Sequence, residues 1–219
     1  VSGGNLTIKE SRNQYGDGGA IYATSAVAIS GGNVSIEGSK AGKSGGSIHA
    51  PNMAIADGNL NINTSETRVD GGSIHVPNMA ISGGNLTIKE SEVNEKGGAI
   101  HVDNMTVSGG NLTIKESRNQ YGDGGAIYAT SAVAISGGNV SIEGSKAGKS
   151  GGSIHAPNMA IADGNLNINT SETRVDGGSI HVPNMAISGG NLTIKESEVN
   201  EKGGAIHVDN MTVSGGNLT

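Results

Sequence analysis

The sequence contains no cysteine, tryptophan or phenylalanine, and tyrosine occurs only 4 times in 219 residues. The lack of cysteine excludes a disulfide framework. The shortage of large rings excludes a broad globular core, because aromatic side chains usually supply much of the buried area there. Any core must be narrow and filled by Ile, Val, Leu, Met and Ala. Basic charge is scarce as well: 14 Lys+Arg against 20 Asp+Glu leave a net charge of -6. That balance argues against nucleic acid or an anionic membrane surface as a partner, since both call for a basic patch. No apolar run approaches the roughly 20 residues that span a bilayer as a helix, so no membrane insertion by this segment is expected. What the chain has in quantity is glycine, 38 residues of it. Glycine pairs at fixed spacing mark tight corners where a positive φ is tolerated, and the lack of a three-residue glycine period excludes collagen.

The spacing is regular. Each residue from 1 to 106 is matched by the residue 106 positions later, so Val1 returns as Val107 and Val213. Within that block the glycine pairs begin at Gly18, Gly45, Gly71, Gly97 and Gly124, in steps of 27, 26, 26 and 27. Four unequal coils therefore make one super-repeat, which divides the chain into 1–106, 107–212 and a partial 213–219. A period in this range is the signature of a solenoid.

Each coil holds three short runs that alternate with period two. In the coil from Gly71 these are "SIHV", "MAI" and "NLTIK", with Ile74, Val76, Met79, Ile81, Leu86 and Ile88 on one face. Such runs read as strands, and no apolar stripe at helical spacing is long enough for a helix. Three strands and three corners describe one coil of a parallel β-helix, so one continuous all-β solenoid of about eight coils is expected over 1–219. Coils of this length favour the right-handed form. The columns agree: Ile21, Ile48, Ile74 and Ile100 form one, Ile8, Ile36, Ile62 and Ile88 another. Val27, Met53, Met79 and Met105 make a third, and Leu6, Val34, Leu60 and Leu86 a fourth. Asn5, Asn33, Asn59, Asn85 and Asn111 follow the second glycine corner, where stacked amides can bond from coil to coil. The extra residues of the longer coils fall in "ATSA" and "RNQYGD", at corners, where a solenoid tolerates them. A single coil buries too little to offset the ordering of its backbone, so stability belongs to the stack.

With "GGAIY" and "GGAIH" recurring beside "NLTI" and a following Ser, the chain resembles the β-helical passenger repeats of polymorphic outer-membrane proteins and of adhesin-like surface proteins. The resemblance covers all the coils, although the Phe-x-x-Asn element of the polymorphic proteins is missing. It implies an exported, surface-displayed fibre or adhesin, and it supplies no functional residue to carry over.

Several stretches invite chemistry. "EGSKAGKS", residues 37–44, ends like a phosphate-binding loop, but Glu37 stands where that loop needs glycine and "GGSIHA" follows where a helix should. It reads as a solvated corner. Asp17, Asp57, Asp70 and Asp103 could suggest a carboxylate hydrolase or lyase, yet only Asp17 and Asp70 share a corner, and they lie two coils apart. No enzyme, catalytic residue or cofactor is expected. The column Tyr22, His49, His75, His101, repeated as Tyr128, His155, His181, His207, should form an outward, stacked, neutral ladder. Neighbouring imidazoles could share a transition metal, but the sequence shows no third ligand, so no metal is expected. Beside the column, Ala28, Ala54, Ala80, Ala134, Ala160 and Ala186 should form an outward strip of small side chains that lets another surface pack laterally. Thr7, Ser35, Asn61 and Thr87 lack the paired threonine columns of an ice-binding face. Sequons occur at Asn5, Asn33, Asn63, Asn85 and Asn104, of which Asn104 should be the most accessible.

Recurrence suits a function that scales with length. The expected role is a repeat segment of an extracellular fibre, stalk or filament. Its expected partner is itself, end to end and laterally. The alternative is an adhesin that displays multivalent ligand- or glycan-binding ladders. The chain opens and closes on "VSGGNLT", so it is expected to be part of a longer array whose open strand edges stack on further copies.

Overall fold

The computed structural model describes residues 1–219 and contains 25 β-strands and no helix. All strand pairings are parallel and join residues one coil apart. They form two sheets, of 11 and 14 strands, which run through both 106-residue blocks without a break. The chain is a β-solenoid of about eight turns.

The columns stack as the alternation predicts. Ile21 pairs with Ile48, Ile48 with Ile74, Ile74 with Ile100, and Ile100 with Ile127. Val27, Met53, Met79 and Met105 stack likewise, as do Leu6, Val34, Leu60 and Leu86. From the second coil onward these columns join the other inward Ile, Val and Ala side chains in one continuous core of 40 buried residues; Ile21 and Val27 pack against it partly buried, and Leu6 in the first coil is exposed. Within the stack each inward side chain is covered from above and below by its counterparts, which is why a narrow aliphatic interior suffices; in the end coils Leu6 and Met211 have a counterpart on one side only and are exposed.

In the coil from Gly71 the strands are Ile74–His75, Asn78–Ile81 and Asn85–Val93. The third is bent at Glu90, whose φ is 52°, and the same position holds Thr64 at 55° and Gly38 at 65°. This left-handed residue turns the strand and adds a fourth arm to the coil, Ser91–Val93. In the coil from Gly97 the two arms are separate strands, Asn111–Lys115 and Arg118–Asn119.

The glycine pair serves two purposes. Gly71 has φ 62°, a conformation that disfavours any other residue. At Gly72 a Cβ would stand 2.0 Å from the carbonyl oxygen of Gly98 in the next coil. The first glycine makes the turn, and the second lets adjacent backbones approach.

Both extra residues lie at bends. The "ATSA" insertion shifts the register between Val102 and Asn104 against Ala129 and Ala132. In the "RNQYGD" loop, buried Asn119 donates from Nδ2 to the carbonyls of Glu95 and Asp123 and accepts the Gly122 N–H, which braces the longer corner.

The interior also holds polar side chains. Where the coil opens with GGSI, the serine hydroxyl meets another buried hydroxyl across the interior: Ser47 with Ser65, Ser73 with Ser91, and Ser153 with Ser171. Where it opens with GGAI, the corresponding hydroxyls of Ser39, Ser117 and Ser145 have no partner.

Candidate functional site

The short strand after each glycine pair places one ring per coil in a single file. From Tyr22 through His49, His75, His101, Tyr128, His155 and His181 to His207, successive ring centroids are 4.6–5.4 Å apart. The stack expected from the sequence is therefore continuous, but its exposure is not as expected. Only Tyr22 is open to solvent; His101 is 8% exposed and the remaining rings are half-buried. The corner before each glycine pair covers the column. It contributes Asp70 and Asp123, and Lys96, whose Nζ lies 5.0 Å from the centre of the Tyr128 ring.

Burial sets the protonation of these rings. Desolvation, with His101 and His49 alongside, pushes His75 down to about 4. Burial likewise lowers the pKa values of His155 and His181. An imidazole removed from water and flanked by others loses its preference for the charged form, so these histidines are neutral at pH 7. The Nδ1 atoms of all 6 histidines are buried and make no hydrogen bond.

The structure also supplies what the sequence spacing did not, a third potential ligand. Asp70 stands at the corner of the His75 coil and reaches the next one, where its Oδ2 lies 3.3 Å from His101 Nδ1. Ligand atoms of Asp70, His75 and His101 all lie within 4.8 Å of one another, and those of Asp176, His181 and His207 repeat the arrangement. Asp70 precedes its glycine pair and His75 follows it, so the two meet only because the corner folds back over the strand. The sequence singled out both the histidines and Asp70, but nothing in its spacing placed the carboxylate beside the rings.

The alanine strip has the expected register. Ala28, Ala54, Ala80, Thr106, Ala134, Ala160 and Ala186 follow one another across the outer face of the Asn-Met-Ala-Ile strands. Side chains this small leave a shallow apolar groove along the strip, once in each block. The asparagine ladder is unbroken: each of Asn33, Asn59, Asn85 and Asn111 donates its amide to the Asn one coil earlier, starting at Asn5. A second stack, unnoticed in the sequence, joins Asn52, Asn78 and Asn104 beside the alanines. It stops where Ala132 replaces the asparagine at the shifted corner. Asn104 is exposed, as expected, but its amide is engaged in this stack.

In "EGSKAGKS" the strand ends at Ala41, and the bends after it lead directly into the strand Ile48–His49. The backbone thus lacks the helix that a phosphate-binding loop requires. No family model matches the chain, and neither the curated proteins nor the solved structures include a significant match.

Proposed function

We propose that the chain is a structural repeat segment of an extracellular fibre, stalk or filament that grows by end-to-end stacking. One observation carries this reading: the joint between the two 106-residue blocks has the same construction as any joint within a block. Across it Leu86 pairs with Leu112, Ile88 with Ile114 and Ile100 with Ile127, and Asn111 donates to Asn85. A block therefore accepts its own copy with side-chain columns and amide ladder continuous. The extracellular placement rests on the resemblance of the GGAI and NLTI repeats to β-helical surface proteins.

Fibre diffraction and electron microscopy test the reading. Coils about 4.8 Å apart, four to a block, should give an axial spacing of about 4.8 Å and a super-repeat of about 19 Å along one axis. Particles that remain monomeric at high concentration, or strands that run along the fibre axis, would overturn it.

A second reading, an adhesin, draws on the duplicated alanine groove, which offers the same surface once per block. Display at fixed intervals gives avidity toward a repetitive ligand. Binding to a glycan array that strengthens with block number would favour it over a purely structural role.

A further inference from the structure

We propose that Asp70, His75 and His101 bind one divalent transition-metal ion of the Zn2+ type, and that Asp176, His181 and His207 repeat the site in the second block. Two imidazoles and one carboxylate are a donor set suited to such ions, with water completing the coordination. The spacing fits. Donors at about 2.0–2.1 Å from a tetrahedral Zn2+ stand about 3.3–3.4 Å from each other. The Asp70–His101 and Asp176–His207 contacts measure 3.3 and 3.4 Å. The third donor completes each set within 4.8 Å, and the broad χ2 of histidine allows a small closing rotation.

The unmet bonding at the site points the same way. His101 is 8% exposed, and its Nδ1, the Nδ1 of His75 and Oδ1 of Asp70 are all buried without a hydrogen-bond partner. An unpartnered Nδ1 recurs at every histidine of the column, but only here is it joined by a buried carboxylate oxygen, Asp70 Oδ1, that also lacks a partner, and a single ion satisfies the donor set. The nearby cation does not take that role, because Lys96 Nζ is directed at the Tyr128 ring.

Neighbouring positions in the column lack one part or another. Asp17 Oδ1 accepts the N–H of Ser44, and Asp123 Oδ1 accepts the N–H of Ser150 and stands 3.8 Å from His155. Asp176 is intermediate, since its Oδ1 accepts the Lys202 N–H, so the Asp70 site should bind more tightly than its copy.

Titration of the untagged 219-residue chain with Co2+ and Zn2+ provides the test. Saturable uptake of two ions per chain is expected, with the intense visible absorption of low-coordinate Co2+ that Zn2+ abolishes. Asp70→Asn should weaken the tighter site at least tenfold, and Asp70→Asn with Asp176→Asn should weaken both. His49→Gln should leave uptake unchanged. In the unmodified chain, Zn2+ should shift the imidazole NMR signals of His75 and His101 before that of His49, a readout independent of any folding defect in the variants. Absence of saturable uptake would overturn the proposal. So would two tight sites surviving in the double variant, or equal loss on His49→Gln, which would indicate loose binding along the column.

Discussion

The coils that begin at Gly71 and Gly97 differ by one atom at a buried position, and that atom decides whether a hydroxyl is satisfied. In the first, Ser73 meets Ser91; in the second, Ala99 occupies the place of Ser73 and Ser117 is left without a partner. The rule holds along the chain: Ser39 and Ser145, in the coils of Ala20 and Ala126, are orphaned as well. Alanine and serine look interchangeable as small residues after a glycine pair. Inside a narrow solenoid they are not, because the hydroxyl that serine would have engaged is fully buried.

What both coils share is the close approach of backbones, and breaking it should have the largest effect. A Cβ on Gly98 would stand 1.8 Å from the Gly125 carbonyl, an even closer contact than at Gly72. Gly72→Ala and Gly98→Ala should each cost about 3–5 kcal/mol in urea denaturation, irrespective of the coil type. A loss below about 1 kcal/mol at either would show that the coils can move apart freely.

The next effect belongs to pH. His75, in a GGSI coil, faces His49 and His101 along the column and Asp70 and Asp17 at the corners, and its folded value of about 4 lies below the ordinary 6.5. The unfolded chain therefore takes up this proton first. Stability should be full above about 6.5 and fall as pH drops toward 4, by on the order of 2 kcal/mol once partial exposure is discounted. Measured with a chelator present, the His75→Gln chain should lack that part of the slope; an identical slope in both chains would refute the assignment.

Smaller changes should exchange the two coil types. Ser73→Ala converts a GGSI coil to GGAI, orphans Ser91 and should cost about 1–2 kcal/mol. Adding Ser91→Ala should recover part of the loss, and a double-mutant cycle reads the coupling. In the other direction, Ala99→Ser gives Ser117 a partner and should gain about 0.5–1.5 kcal/mol. If Ala99→Ser destabilises the chain, the interior there is too tight for the added oxygen.

Much of this fold is legible in the sequence because a solenoid writes its contacts at one period. Ile74 contacts Ile48 and Ile100 by register, so counting residues finds the columns, the asparagine ladder and the ring stack. Contacts across or around the coil have no such period. Ser73 and Ser91 are separated by 18 residues, and their meeting depends on the arm created by the bend at Glu90. The left-handed bend is itself hard to read, because glutamate and threonine occupy it more often than glycine. Burial of the histidines and the approach of Asp70 depend on how the corner folds over the strand, which alternation alone does not describe.

The asparagine ladder has a direction. From Asn33 to Asn217 each amide N–H points to the carbonyl oxygen of the preceding coil, never the reverse. Each coil thus carries donors on one side and acceptors on the other, and the row works as a vector along the axis. Two stretches of this chain placed head to head would set donor against donor. An assembly that preserves the row has distinguishable ends, and a growing end could tell a correctly oriented neighbour from an inverted one by a single column of amides.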